Sequence, residues 1–209
     1  MEDIRSEIGD DVNLVVVTKT ISDDIVSTLR DLGVKDIGEN KVDQLLKRKE
    51  LYADEFKYHM IGRLQTNKVK YLVNWVHLIH SLDRISLAKE LQKQGKKNDF
   101  IFDVLIQINI SKEESKTGIY LEDLESFINQ VKDYNYINIK GFMTMAPYGV
   151  NDEILSDVFS RAKKTFDYYR QMGYNNLNIE YLSMGMSEDY KVAIDEGSNM
   201  IRIGTKLFK

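Results

Sequence analysis

Short apolar runs recur along the chain, and the first is an uninterrupted stretch of four apolar residues at 14–17. Runs rich in β-branched residues, without alternating polar positions, are typical of strands buried on both faces of a parallel sheet. The same pattern, together with the turn residues that follow each run, predicts eight strands. They lie at residues 14–17, 36–39, 58–61, 76–79, 104–109, 139–143, 179–183 and 200–203.

Amphipathic helical patterns lie between these strands. Ser22, followed by Asp23 and Asp24, indicates the start of a helix, because serine caps free backbone N–H groups and acids offset the helix dipole. Gly33 indicates the end of that helix. Further helices are predicted at residues 84–94, 121–132, 152–172 and 188–196, with Gly95, Gly173 and Gly197 ending three of them.

The alternation of strands and helices predicts an α/β protein with a single (β/α)8 barrel of the TIM barrel type. The 209 residues are enough for one substantial core, so we expect one domain over residues 1–209. A doubly wound open sheet is the alternative fold. It is disfavoured because the first strand-to-helix turn, at residues 18–21, lacks the glycine-rich pattern that binds dinucleotides.

Charge and composition narrow the classes of partner. The 29 basic and 33 acidic residues are mixed along the chain, so no basic block predicts a nucleic-acid or membrane surface. No apolar run approaches the roughly 18 residues of a membrane span, and we expect a cytoplasmic protein. The absence of cysteine excludes thiolate metal sites, and three histidines could form at most a small one, so we predict no metal.

Lys19 is the sharpest candidate for chemistry. In a (β/α)8 barrel the active site lies at the C-terminal ends of the strands, and Lys19 follows the first strand. A lysine after four apolar residues is expected to be partly desolvated, which lowers its pKa and frees the amine to form a Schiff base with a carbonyl. The alternative is a lysine that projects into water at the end of a strand.

Small residues after the seventh and eighth predicted strands form a candidate phosphate site. Gly204 would let an anion approach the main chain, and Thr205 offers a hydroxyl and the start of a short helix. Ser183, Gly185 and Ser187 would form the other side. In this fold the loops after these two strands recurrently bind phosphate. Ordinary turn chemistry is the alternative interpretation of each residue taken alone.

These features occur within a set of motifs that resembles the pyridoxal phosphate homeostasis protein family, which is related to the N-terminal barrel of alanine racemase. The resemblance covers about residues 14–208. It rests on Val-Thr-Lys-Thr at 17–20, Gly-Glu-Asn-Lys at 38–41, His-Met-Ile-Gly-Arg-Leu-Gln-Thr-Asn-Lys at 59–68, His-Ser-Leu-Asp at 80–83, Lys-Thr-Gly at 116–118, Gly-Phe-Met-Thr-Met at 141–145, Ser-Met-Gly-Met-Ser at 183–187 and Arg-Ile-Gly-Thr at 202–205.

The resemblance implies a binding site for pyridoxal 5'-phosphate (PLP). It implies that Lys19 carries the cofactor as a Schiff base and that Asn40 lines the pocket. By the same resemblance, Ser183, Gly204 and Thr205 hold the phosphate. Arg202 is implied to face the pyridine nitrogen, and an ion pair with Glu180 is the alternative role for Arg202. The motif at 59–68 suggests no chemical role, and Asn67 and Lys68 within it are interpreted as residues that cap and pack a helix.

The resemblance also implies a carrier that buffers PLP for vitamin B6 homeostasis and hands it to apo forms of PLP-dependent enzymes. We expect a monomer without catalytic residues. A PLP-dependent racemase-like enzyme is the first alternative, but it needs a second base, and the chain ends at Lys209 without the additional domain that supplies this base in alanine racemase. A Schiff-base aldolase or phosphate-sugar enzyme on the same fold is the second alternative.

Overall fold

The strands of this protein form a closed parallel barrel. A computed structural model of the protein describes residues 2–113 and 116–208, apart from the side chains of residues 2, 3 and 205. The strands follow one another around the barrel in chain order, and the last pairs with the first. They are β1 (Asn13–Val17), β2 (Asp36–Glu39), β3 (Lys57–Met60), β4 (Leu78–Leu82), β5 (Phe102–Gln107), β6 (Ile137–Met143), β7 (Leu177–Ser183) and β8 (Met200–Ile203).

Helices surround the barrel and connect most successive strands. They are α1 (Glu2–Ile8), α2 (Asp23–Asp31), α3 (Val42–Tyr52), α4 (Ile85–Asn98), α5 (Leu121–Val131), α6 (Asp152–Arg170) and α7 (Tyr190–Asp195). A 3-10 helix at Thr66–Tyr71 connects β3 to β4, and another at Thr205–Leu207 follows β8. No helix in the described part of the chain combines the length and apolar character needed to cross a lipid bilayer.

The predicted (β/α)8 barrel is confirmed, and the open sheet is excluded because β1 and β8 pair in parallel. The prediction that Gly95 ends a helix is wrong, since α4 continues to Asn98. A Cβ atom at Gly95 would lie 2.5 Å from Cβ of Tyr136 and 2.6 Å from the carbonyl oxygen of Phe100. Glycine is needed there for close packing, and the left-handed Asp99 (φ 50°) caps the helix instead.

Three clusters of apolar side chains make up the described core: a large outer one, a smaller one that joins α1, α7 and β8, and an inner one that shows which residues face the barrel axis. The large outer cluster fills the space between the sheet and the helices. The small inner cluster joins alternate strand positions from around the barrel, namely Val15, Leu78, Leu105, Met143 and Met200. Since side chains alternate along a strand, the strand residues two positions away from these also face the interior.

Candidate functional site

The alternation places two of the six predicted cofactor residues, Ser183 and Arg202, on the inward side of the barrel wall, and the others follow the ends of strands. Val15 belongs to the inner cluster, so Val17 faces inward as well, and Lys19 follows in the turn after β1. Met200 is also in this cluster, and Arg202 and Gly204 follow it. On β7, Tyr181 packs against the cluster and precedes Ser183. A Cβ at Gly38 would touch Val15 and Ile61, so Gly38 faces inward, and Asn40 follows directly after the end of β2.

Lys19 lies in a turn directly after Thr18, two residues beyond the end of β1. The expectation that Lys19 is desolvated is wrong, because its side chain is exposed while that of Thr18 is buried. Among the described residues, none forms a hydrogen bond or an ion pair with the amine of Lys19. The amine of Lys19 is therefore exposed, without a competing partner among the described residues, near the C-terminal mouth of the barrel.

A buried ion pair anchors the start of the turn that carries Lys19. The hydroxyl of Thr18 donates to Oε1 of Glu39 at 2.6 Å, and Nε of Arg48 donates to the same oxygen at 3.2 Å. Glu39 is fully buried at the end of β2, and Arg48 on α3 is 6% exposed. The second carboxylate oxygen of Glu39 has no hydrogen-bond partner among the described residues, so the charge of Glu39 depends on Arg48 and Thr18.

Arg48 also holds the rest of this turn. Its Nη2 donates to the carbonyl oxygens of Thr18 at 3.2 Å and Ile21 at 2.8 Å, and Nη1 pairs with Asp23 in the first turn of α2. Sequence reasoning missed Arg48, because it stands 29 residues after Lys19 and no local pattern links the two.

Arg202 occupies the interior at the end of β8 and is 4% exposed. Its Nη1 donates to the carbonyl oxygen of Ser183 at 2.9 Å and to Oγ of Ser183 at 2.6 Å, while Nη2 donates to the carbonyl oxygen of Thr144 at 3.1 Å. Burial lowers the pKa of Arg202 to about 10, which leaves the guanidinium charged at neutral pH. The alternative pairing with Glu180 is wrong, because Glu180 pairs with Lys140.

Gly204 brings the end of β8 against the end of β1. A Cβ atom at this position would lie 3.2 Å from Cβ of Val17 and 3.3 Å from its carbonyl oxygen. The short helix predicted after Gly204 is present as a 3-10 helix that begins at Thr205. The side chain of Thr205 lies outside the described residues, so its predicted hydroxyl contact stays a prediction.

A chain of polar groups crosses the barrel interior from Ser183. Oγ of Ser183 lies 3.2 Å from Nδ1 of His80, and Nε2 of His80 lies 2.9 Å from Nδ1 of His59. Both histidines are fully buried. Burial, followed by the charges of His59 and Arg202, lowers the pKa of His80 well below its usual value, so His80 is neutral. The fourth strand was predicted at 76–79, whereas β4 runs over Leu78–Leu82 and includes His80, and no local pattern links His80 to Ser183.

The motif at 59–68 packs against the loop that carries Asn40. A Cβ atom at Gly62 would lie 2.3 Å from the carbonyl oxygen of Asn40, so only glycine allows the two loops to approach. Nζ of Lys68 pairs with Asp43 at 2.8 Å, at the start of α3. Asn40, which is exposed, lines an open groove of about 690 Å³ together with residues of this motif and Arg84. The motif thus supports one wall of the barrel mouth.

Comparison with known proteins identifies relatives over the full barrel. The alanine racemase N-terminal domain family matches residues 1–209. A pyridoxal phosphate homeostasis protein from Aquifex aeolicus is 42% identical over 196 residues, covering 93% of this chain and 85% of that protein. A pyridoxal phosphate homeostasis protein from Helicobacter pylori is 33% identical over 201 residues, covering 95% of this chain and 87% of that protein.

Solved structures of a related protein have the same fold as this chain. PipY from Synechococcus elongatus without PLP superposes with a TM-score of 0.92 at 28% identity, covering 100% of this chain and 97% of that chain. PipY with PLP bound superposes with a TM-score of 0.89 at the same identity and coverage. This chain therefore belongs to the alanine racemase N-terminal domain family and, within it, to the pyridoxal phosphate homeostasis proteins.

Proposed function

We propose that this protein binds PLP at the C-terminal mouth of its barrel and carries or buffers the cofactor for vitamin B6 homeostasis. The names of its relatives and the PLP-bound structure of PipY support this function. The observation that carries the proposal is that Lys19, whose amine has no partner among the described residues, follows the strand that pairs with β8, and β8 carries the buried guanidinium of Arg202. These two groups fit the aldehyde and the ring nitrogen of the cofactor.

Lys19 is proposed to hold the cofactor covalently. Its amine would bond to the aldehyde carbon of PLP, and the aldehyde oxygen would leave as water with the two protons of the amine. The exposure of Lys19 and its lack of a partner among the described residues support this role, because no existing ion pair must break first. The anchored turn described above limits where the amine can move.

The phosphate is proposed to bind between the ends of β7 and β8. Gly204 lets an anion approach the main chain, the 3-10 helix at Thr205–Leu207 begins directly after it, and Ser183 lies on the neighbouring strand. The hydroxyl of Ser183 accepts a hydrogen bond from Arg202 and lies 3.2 Å from Nδ1 of His80. With Nδ1 of His80 as a second donor, the O–H of Ser183 would be left for the phosphate. Asn40 would line the opposite side of the ring pocket.

Arg202 supports the non-catalytic part of the proposal. When bound to an enzyme, PLP supplies an electron sink, and the sink is strong only when its ring nitrogen is protonated. A guanidinium only donates hydrogen bonds, and it stays charged. It can therefore bond to the ring nitrogen of PLP only when that nitrogen is unprotonated and can accept a hydrogen bond. With Arg202 held by Ser183 and Thr144, the site would keep the ring neutral and suit storage better than turnover.

We further propose that residues 1–209 act as one PLP-binding domain, as a monomer in the cytoplasm, and pass the cofactor to apo forms of PLP-dependent enzymes. This assignment rests on the single closed barrel and on the names of the relatives.

A comparison of PLP with pyridoxal tests the proposed site. Hydrogen bonds to a charged group contribute about 1.5 to 3 kcal/mol, so Ser183→Ala should weaken PLP binding by roughly tenfold or more and leave pyridoxal binding little changed. Ser81→Ala is the matched control, because the hydroxyl of Ser81 is buried without a partner in the described structure. Equal affinity of the wild-type protein for PLP and pyridoxal, measured by titration calorimetry, would rule out the phosphate site.

A further inference from the structure

Three potential metal ligands meet at the N-terminal end of the barrel, opposite Lys19. Asp36 is the first residue of β2, His59 lies in β3, and His77 directly precedes β4. One ligand atom from each side chain lies within 4.8 Å of the other two. His59 is fully buried, whereas Asp36 and His77 are half-buried. The cluster therefore has a solvent-accessible side through which an ion could enter.

We propose that Asp36, His59 and His77 form a binding site for a divalent transition metal ion of the zinc class. Two imidazoles and one carboxylate suit zinc, cobalt and nickel, whereas magnesium and calcium prefer oxygen ligands throughout. Three protein ligands leave a fourth position for water. The proposal does not depend on PLP binding, because none of the three ligands belongs to the proposed cofactor site, although His80 links His59 to Ser183.

The distances between the ligands fit this class of ion after a small closure. Bonds of about 2.0 to 2.1 Å in a tetrahedral site place the ligand atoms roughly 3.3 Å apart. Nε2 of His59 and Oδ1 of Asp36 are already 2.9 Å apart. The rings of His59 and His77 meet edge-on, with centroids 5.2 Å apart. His77 lies outside the strands, so its side chain can rotate toward the ion without disturbing the sheet.

His80, on the buried side of the cluster, is placed to orient His59 as a metal ligand. A metal-bound histidine usually donates its other ring N–H to a partner that fixes its orientation. Nδ1 of His59 lies 2.9 Å from Nε2 of His80, which is neutral and can accept that hydrogen. With Nε2 of His59 on the metal, the His59 ring would be held from both sides.

The protonation states and nearby charges are compatible with a cation. Burial, with the charges of His59 and Lys57, lowers the pKa of His77 to about 4, so this ring is neutral and its lone pair available. Burial opposes ionisation of Asp36, but the hydrogen bond from His59 and the neighbouring positive charges give a net lowering of its pKa. The positive charges of Lys57 and Lys140 oppose the binding of a metal cation, but the charge of Lys140 is neutralised by its ion pair with Glu180.

Metal titration of the untagged protein tests the site. The chain has three histidines and no cysteine, so histidine-dependent binding can arise only from this cluster and its neighbour His80. We expect one equivalent of Zn²⁺ by calorimetry and a Co²⁺ complex with visible absorption bands. Removing a residue that hydrogen-bonds to a metal ligand lowers metal affinity roughly 10 to 100-fold. Removing a ligand itself, as in His77→Phe or Asp36→Asn, should therefore lower the affinity by more than about 100-fold.

Both ligand variants are expected to fold, and an acid outside the cluster provides the control. His77→Phe preserves the ring contact with His59, and Asp36→Asn preserves a hydrogen-bond acceptor, so both should fold. Asp103→Asn, an acid on β5 at the same end of the barrel, should bind Zn²⁺ as the wild type does. Zn²⁺ binding weaker than about 1 mM, or binding that survives both ligand substitutions, would overturn the proposal.

Discussion

Replacing Arg48 with methionine is expected to destabilise the protein by about 3 to 5 kcal/mol, because it leaves a buried carboxylate without its charge partner. Glu39 is fully buried and has one oxygen with no hydrogen-bond partner in the described structure. The substitution also removes the donors to the carbonyl oxygens of Thr18 and Ile21. Urea unfolding monitored by circular dichroism measures the change in the free energy of unfolding.

The double variant Glu39→Leu/Arg48→Met separates the charge from the packing. Replacing both partners of a buried pair with apolar residues is often neutral or stabilising, so the double variant should recover most of the loss. It should still bind PLP less tightly than the wild type, because the turn before Lys19 loses its contacts with α3. A loss below about 1 kcal/mol in Arg48→Met would show that water or another group already satisfies Glu39.

Lys19→Ala is expected to weaken PLP binding by at least about 100-fold, or about 3 kcal/mol, because it removes the covalent bond and leaves only the non-covalent contacts. The fold should be unaffected, since the amine of Lys19 contacts no described residue through a hydrogen bond or ion pair. The visible absorption of the bound cofactor should disappear, and a spectrophotometric titration with PLP measures both effects.

Lys41→Ala is the matched control for this variant. Lys41 is an exposed lysine on the next loop of the barrel mouth and lines the groove beside Asn40. We expect its removal to leave the cofactor spectrum and affinity unchanged. If both variants lose affinity to the same degree, general positive charge at the mouth, and not a specific bond to Lys19, is what retains PLP.

The barrel could be predicted from local patterns because strands such as β4 and β8 are buried at every position and helices such as α2 lie between typical start and stop residues. The bounds of β2 and β8 match the prediction. Gly95 shows the limit of such reasoning, since its role depends on Tyr136, a residue 41 positions away that packs against α4 only in the folded chain. A glycine needed for packing and a glycine that ends a helix look identical in the sequence.

The candidate site was predictable where fold rules apply and not where contacts cross between strands. The place of Lys19 after the C-terminal end of β1, and that of the small residues after β7 and β8, follow from the barrel itself. The prediction that Lys19 is partly desolvated was wrong. The buried residue after β1 is Thr18, whose hydroxyl donates a hydrogen bond to Glu39. His59 and His77 lie 18 residues apart in the sequence, and only the pairing of β3 with β4 brings them together.

The central claim is that Lys19 carries PLP, and borohydride reduction followed by peptide mass mapping tests it most directly. Borohydride converts the C=N bond into a stable C–N bond, so the modified lysine survives digestion. The proposed function requires a pyridoxyl group on the peptide that contains Lys19, with no such label on that peptide's counterpart in Lys19→Ala. A pyridoxyl group found mainly on another lysine, or a PLP-saturated protein that takes up no label, would contradict it.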